Sequence, residues 1–153
     1  MHDGRLQQLV DKPVETVDTL VLAGPGSSRC FVARAKIESV SSEPLIAQTA
    51  IADLPAEFGP STVLLDVRED DEWQRGHAAA AQHIPMGEVP SRVGEIDRSA
   101  TLYVVCKAGG RSAKVAQFLA RDGFEPINVD GGMLAWAAAG RPVVTDDGSP
   151  GSI

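Results

Sequence analysis

The feature that most constrains this chain is the alternation of short apolar runs with segments of helical spacing. Thr62-Val63-Leu64-Leu65-Asp66-Val67 and Thr101-Leu102-Tyr103-Val104-Val105-Cys106 are rich in β-branched residues and almost continuously apolar. A strand with one wet face alternates in polarity, whereas a strand covered on both faces does not. Both runs are therefore predicted as buried strands. Pro126-Ile127-Asn128-Val129 is predicted as a third, and His83-Ile84-Pro85 as a short one ended by its proline. Between them, Asp70 to Arg75 is predicted as a short helix stopped by Gly76, and Pro90 to Ile96 as a helical turn. Ser112 to Arg121 carries Ala113, Val115, Ala116, Phe118, Leu119 and Ala120 at amphipathic spacing, with Gly123 as its stop. Met133 to Ala139 follows Gly131-Gly132 and closes at Gly140. This alternation implies an α/β fold, a central parallel sheet with helices on both faces. Ligands of such sheets bind beyond the carboxyl ends of the strands, here after Val67 and Val105.

The chain changes character near residue 45. Residues 1–45 hold only short apolar pieces, Leu20 to Ala23 and Phe31 to Ala35, between Gly-, Ser- and Pro-rich stretches. They are expected to be an N-terminal extension whose structure the sequence leaves open. Residues 46–144 form the expected domain. Residues 145–153 are expected to be a flexible, solvated tail, because Asp146 to Ser152 has no apolar anchor. With 43% hydrophobic residues the chain can bury a core, and its net charge of -7 argues against nucleic acid or an anionic membrane as partner. No apolar run approaches the roughly 18 residues of a membrane span. The start, MHDGRLQQLVDKP, lacks the basic and apolar regions of a signal peptide, so a cytoplasmic location is expected. The two cysteines, Cys30 and Cys106, make neither a disulfide framework nor a CxxC metal site. Cys30 is read as a small apolar residue, and no metal site is expected.

Chemistry concentrates in Cys106-Lys107-Ala108-Gly109-Gly110-Arg111-Ser112, between a buried strand and a helix. A helix N-terminus presents free N–H groups and partial positive charge. Two glycines let the backbone curl so that several amides converge on one centre. Lys107 and Arg111 add cationic charge to an acidic chain. All of these favour the Cys106 thiolate, the nucleophilic form. The same amides can hold an anionic substrate beside the sulfur. Arg111 at a helix start conflicts mildly with the helix dipole, a conflict that a bound anion would relieve. Cys106 and Arg111 enclose four residues. The loop of the cysteine phosphatases resembles this one but is a residue longer, and the tighter loop suits a sulfur or sulfonate terminus better than a phosphate monoester.

The ordered set of motifs resembles the rhodanese family, in its single-domain form. The residues that carry the resemblance are Leu64-Leu65-Asp66-Val67-Arg68-Glu69, Glu72-Trp73 with Gly76-His77, His83-Ile84-Pro85, the Cys106–Ser112 loop, and Asp130-Gly131-Gly132-Met133 with Ala135-Trp136. They agree in order and spacing over about residues 49 to 144. Ala78 to Ala81 departs from the Gly/Pro-containing turn usual there. The resemblance implies a thiosulfate- or persulfide-dependent sulfurtransferase with no metal or organic cofactor. Cys106 would carry a sulfane sulfur as a persulfide, and Lys107, Ala108, Gly109, Gly110, Arg111 and Ser112 would bind the substrate. The implied partners are a small anionic sulfur donor and a thiol or cyanide acceptor.

Other residues read mainly as support. Asp66 and Arg68 at a buried strand end are expected to hold that end by an ion pair or hydrogen bonds, the other reading being that they orient the loop. Glu72 is expected to make structural contacts, and His77 to be a satisfied histidine in a tight turn rather than an acid or base. Trp73 and Trp136 are expected to pack in the core. Lys107 divides evenly between attracting substrate and simple solvation. Two other functions remain beside the enzyme: a sulfur carrier or interaction module served by a relay protein, and a phosphatase or arsenate reductase, which the loop length disfavours.

Overall fold

A computed structural model of the chain describes residues 43–153. All but the last three residues of the expected N-terminal extension, and Cys30 with them, lie outside the described residues. Five strands form one sheet: β1 (Ala47–Thr49), β2 (Thr62–Asp66), β3 (Ala81–His83), β4 (Thr101–Val105) and β5 (Pro126–Val129). Their order is β1-β5-β4-β2-β3, and every pairing is parallel. The helices are α1 (Asp70–Arg75), α2 (Val89–Arg92), α3 (Gly110–Arg121) and α4 (Gly132–Ala138). Single 3-10 turns occupy Ile51–Asp53 and Val93–Glu95.

The lack of polar alternation in the central strands has a direct cause, because both faces are covered. On one face Leu65, Val67, Val104 and Cys106 pack with Val89 of α2 and with Val115, Ala116 and Leu119 of α3. On the other, Leu64, Val105 and Val129 pack with Met133 and Trp136 of α4 and with Ile51 and Leu54. Each of these fully buried aliphatic side chains contributes roughly 1.5–3 kcal/mol. The expected α/β sheet with helices on both faces is thus the observed one.

The strand order also locates the site. β2 and β4 are neighbours, with Asp66 opposite Val105. The chain leaving β2 continues to β3 on one side, and the chain leaving β4 continues to β5 on the other. Such a reversal opens a crevice at the carboxyl ends of the two strands, where ligands of open α/β sheets bind. The loops after Asp66 and Val105 meet at that point.

The structure adds detail that differs from the sequence reading. The third strand in sequence spans Ala81–His83 rather than His83 to Pro85. Its hydrogen bonding nevertheless runs on, with Ile84 N–H donating to Asp66 O at 3.1 Å and Met86 N–H to Val67 O at 3.1 Å. The edge strand β1 has only three residues, Ala-Gln-Thr, too few and too mixed to carry a strand pattern. Residues 145–153, expected to be a solvated tail, are largely exposed but make backbone contacts with the domain. Val144 bridges to His77 and to Pro150, Gly151 N–H donates to Val143 O at 2.8 Å, and Ser152 N–H donates to Arg75 O at 2.9 Å. Ile153 packs against the α4-side core and is the apolar anchor the composition did not reveal. Gly76 makes the close approach possible, since a Cβ there would lie 2.6 Å from Val143 and 2.7 Å from Ser152 N.

Candidate active site

β4 ends at Val105, and the chain turns through Cys106 to Gly109 before entering α3 at Gly110. Gly109 has φ +100°, in the left-handed region that side chains disfavour. Behind the loop stands the start of α4. Its free N–H groups clamp the loop: Met133 N–H donates to Cys106 O at 2.8 Å and Leu134 N–H to Lys107 O at 3.0 Å. This approach requires Gly132, whose φ is +57° and where a Cβ would lie 2.3 Å from Cys106 O. Asn128 of β5 donates to Gly109 O at 3.4 Å and to Gln48 Oε1 of β1 at 2.7 Å. The edge strand thus reaches the loop through one amide side chain.

Cys106 is only 1% exposed. Its Sγ accepts hydrogen bonds from Gly109 N–H at 3.1 Å and from the Ser112 hydroxyl at 3.3 Å. Burial alone pushes the thiol pKa up. Hydrogen bonds from the Ser112 hydroxyl and from the amides of Ser112, Gly109 and Ala108 outweigh it, and the net shift is downward. The thiolate is therefore favoured by dipoles, not by a paired cation.

Arg111 attracts the Cys106 thiolate only through space, because the Nη groups of its guanidinium are turned to Glu72. Nη1 donates to Glu72 Oε2 at 2.6 Å and Nη2 to Glu72 Oε1 at 2.8 Å, a bidentate pair. These bonds, against the opposing effect of burial, hold the Glu72 carboxyl down at about 2, with help from the Glu69 N–H and the charges of Arg111 and Arg68. Glu72 is also the N3 residue of a capping box on α1 and accepts from Glu69 N–H at 3.2 Å. The anion that resolves the dipole conflict at Arg111 is thus one of the chain's own carboxylates.

The remaining supporting residues lie around this pair. Arg68 and Asp66 are 1% and 0% exposed and form a salt bridge at 2.7 Å. Arg68 Nε also donates to both Asp66 oxygens at 3.0 Å, while Nη2 donates to Gly76 O at 2.8 Å and Nη1 to Glu72 O at 3.4 Å. Arg68 thereby ties the end of β2 to α1. His77 Nδ1 lies 3.0 Å from Trp73 O and Nε2 lies 3.6 Å from Asp146. Its ring stacks on Trp73 with centroids 3.5 Å apart, and Trp73 stacks in turn on His83 at 4.5 Å. These partners leave His77 a role in packing. Trp136 is buried and Trp73 half-buried; Lys107 is half-buried, while Ala108 and Gly110 are exposed at the mouth of the loop. Among the described residues no His/Cys/Asp/Glu group could hold a metal ion, and no helix is long and apolar enough to cross a membrane.

Comparison with known proteins gives this geometry a family. The family model described as "Rhodanese-like domain" matches residues 50–139, more than half of the chain. The chain belongs to the rhodanese-like domain family. One relative is YtwF of Bacillus subtilis, whose name makes it a candidate sulfurtransferase. It is 39% identical over 94 residues, covering 61% of this chain and 91% of YtwF. A second is YrkF of the same species, named as a candidate sulfur carrier protein and 36% identical over 100 residues, 65% of this chain. The match spans about half of YrkF, 54% of its length. Among solved structures, a rhodanese-related protein from Thermoplasma volcanium superposes with a TM-score of 0.54 at 34% identity, covering 56% of this chain and 86% of that one.

The rhodanese-like site brings together Cys106, Gly109, Arg111 and Ser112 with Glu72, and Glu72 in turn with Arg68 and Asp66. It leaves His77 outside. Sequence reading missed the clamp from Met133, Leu134 and Gly132. The Gly131-Gly132 pair was its only signal, and it reads equally well as an ordinary helix start.

Proposed function

We propose that this rhodanese-like protein is a sulfurtransferase working through a Cys106 persulfide. The observation that carries the reading is the sulfur itself: a buried Sγ at the crevice between β2 and β4, held by the Gly109 amide and the Ser112 hydroxyl. The Cys106 thiolate attacks the outer sulfur of a sulfane donor. A new S–S bond forms to that atom, its old bond breaks, and the electron pair leaves with the donor. From thiosulfate the products are the Cys106 persulfide anion and sulfite; from a thiol persulfide the leaving group is the thiolate. An acceptor, cyanide or a thiol, then attacks the terminal sulfur and regenerates the Cys106 thiolate. The loop amides favour the anionic sulfur in both steps. Both leaving groups are good, so the cycle needs no acid–base histidine, metal or organic cofactor. This chemistry belongs in a reducing compartment such as the cytoplasm, where thiols and persulfides persist.

A second reading, a sulfur carrier loaded by a relay protein, draws support from the likeness to YrkF and from the 1% exposure of Cys106. A phosphatase or arsenate reductase is disfavoured by the four-residue spacing and by an Arg111 already bound to Glu72.

The test is intact-mass measurement after mixing with thiosulfate, mercaptopyruvate or glutathione persulfide. The expected result is a gain of one sulfur atom, absent in Cys106→Ser. No gain from any donor would sink the reading. Loading by a persulfide without multiple turnovers to cyanide would favour the carrier.

A further inference from the structure

Among the described residues, Arg111 is the guanidinium built into the loop that carries the nucleophile, and its fork is filled from within the chain. An oxyanion arriving at the α3 N-terminus meets the loop amides. To bind Arg111 through its Nη1/Nη2 edge as well, it must displace a carboxylate held at 2.6 and 2.8 Å by Arg111 and at 3.2 Å by Glu69 N–H; short of that, only Nε–H and the outer Nη hydrogens are left to it. Glu72 is anchored in the first turn of α1, and its side chain is 16% exposed. It is therefore not a loosely tethered counter-ion. The Arg111–Glu72 pair sums to no net charge, and Glu69 and Asp70 beside it are exposed acids. Lys107 remains as a point charge without the planar fork of an arginine, so the cradle offers N–H dipoles and one ammonium but no free bidentate guanidinium edge.

Two classes of sulfur donor respond differently to such a cradle. Thiosulfate is a dianion whose tetrahedral sulfonate matches the fork of a free arginine. A thiol persulfide carries at most one charge there, at the sulfur to be transferred, and dipoles suffice to hold it. We infer that Glu72 is a specificity-determining residue that withholds Arg111 from tetrahedral oxyanions and makes a thiol persulfide, rather than thiosulfate, the donor class of this site. The donor class rests on the sulfur-transfer reading; the control of oxyanion binding does not. In the preferred step the Cys106 thiolate takes the terminal sulfur of R–S–SH, giving Cys106–S–SH and R–S⁻, with no oxidant or reductant required.

The experiment separates the two ideas. Sulfate is used to protect Cys106 against iodoacetamide in the full chain, in Glu72→Gln and in Glu72→Gln/Arg111→Gln. The glutamine keeps the size of Glu72 and removes its charge. The half-protecting sulfate concentration is expected to fall about tenfold or more in Glu72→Gln, as one or two charge-assisted hydrogen bonds become available. The double variant is expected to lose that gain. In parallel, the ratio of kcat/KM for glutathione persulfide to that for thiosulfate is expected to favour the persulfide in the parent and to fall at least tenfold in Glu72→Gln. Equal protection of parent and Glu72→Gln, or a gain that survives loss of Arg111, would overturn the assignment; so would an unchanged donor ratio. Glu72→Ala serves as a second variant if Glu72→Gln fails to fold as judged by circular dichroism. Sulfate protection gained without any sulfur loaded from any donor would overturn the sulfur-transfer reading and the donor class, leaving the oxyanion control intact.

Discussion

Two neighbouring strand ends, at the same level of the same sheet, solve the problem of burying polar groups in opposite ways. After β2 the chain buries Asp66 and Arg68 and pairs them with each other, with every contact a charge-assisted bond. After β4 it buries Cys106 and surrounds its sulfur with a hydroxyl and amide N–H groups. The first arrangement consumes its charges, and nothing is left to react. The second supplies orientation and partial charge without a hydrogen-bonded counter-ion, so the sulfur stays acidic and available. Reactivity therefore sits at the strand end whose polar groups are satisfied by dipoles, and rigidity at the one satisfied by ions.

The largest expected effect breaks the ionic end. Arg68→Leu leaves Asp66 buried and unpaired and frees Gly76 O and Glu72 O, so the fold should lose about 3–5 kcal/mol in urea unfolding. Asp66→Leu/Arg68→Leu should recover part of that loss, because no buried charge remains. If the double variant is no more stable than Arg68→Leu, the pair is not the reason for the loss.

The dipolar end is broken next by Gly132→Ala. The added Cβ would meet Cys106 O at 2.3 Å in a backbone with φ +57°. Strain and overpacking together should cost about 2–3 kcal/mol. Displacing the loop should also remove most persulfide formation. Gly87→Ala, with nothing near its Cβ, is the control and should change neither. Equal activity in the two variants would show that the α4 clamp does not set the loop.

How far these two ends were legible in the sequence follows from how local their contacts are. The Cys106 loop reads directly because strand, glycines and helix are contiguous. Asp66 and Arg68 read as a pair because a single residue separates them at a buried strand end. Arg111 and Glu72 lie 39 residues apart, and neither residue names its partner. The sequence marks the anion site at α3 but not that α1 fills it. The contacts of the C-terminal segment are illegible for a related reason. It is fixed mainly by backbone hydrogen bonds to Arg75 and His77 and by the missing side chain of Gly76, none of which shows in hydropathy. The strand β1 escaped because three edge residues carry too little pattern, although Gln48 reaches Asn128 behind the loop.

Ser112→Ala sharpens the comparison at the sulfur itself. It removes a donor to Sγ while leaving burial in place, so the thiol pKa should rise towards or above its ordinary value. A hydrogen bond to a charged group is worth about 1.5–3 kcal/mol, so alkylation of Cys106 near neutral pH should slow by about tenfold or more. The sign for stability follows from the lowered folded-state pKa. The contribution is present above the unfolded value of about 8.5 and is lost as pH falls through the folded one. The stability gap between parent and Ser112→Ala should therefore widen in alkali. An unchanged alkylation profile would mean that the amides alone hold the thiolate.

The smallest effect tests whether the Glu72–Arg111 pair belongs with the ionic end or the dipolar one. Glu72 titrates at about 2 in the folded chain and near 4.3 when unfolded. Its stabilising contribution is complete above about pH 5 and is lost as pH falls from about 4.3 through about 2. The side chains of Arg111 and Glu72 are 33% and 16% exposed, so solvent screening limits the pair to about 1 kcal/mol. Arg111→Gln should accordingly fall short of the parent by about that much at neutral pH, with the shortfall closing between pH 5 and 2. Were the shortfall as large as that of Arg68→Leu, the pair would be a structural ion like Asp66–Arg68, supporting the fold as well as filling the Nη edge of Arg111. A small contribution that closes in acid would place Glu72 with the dipolar end, neutralising Arg111 near neutral pH without being a main support of the fold.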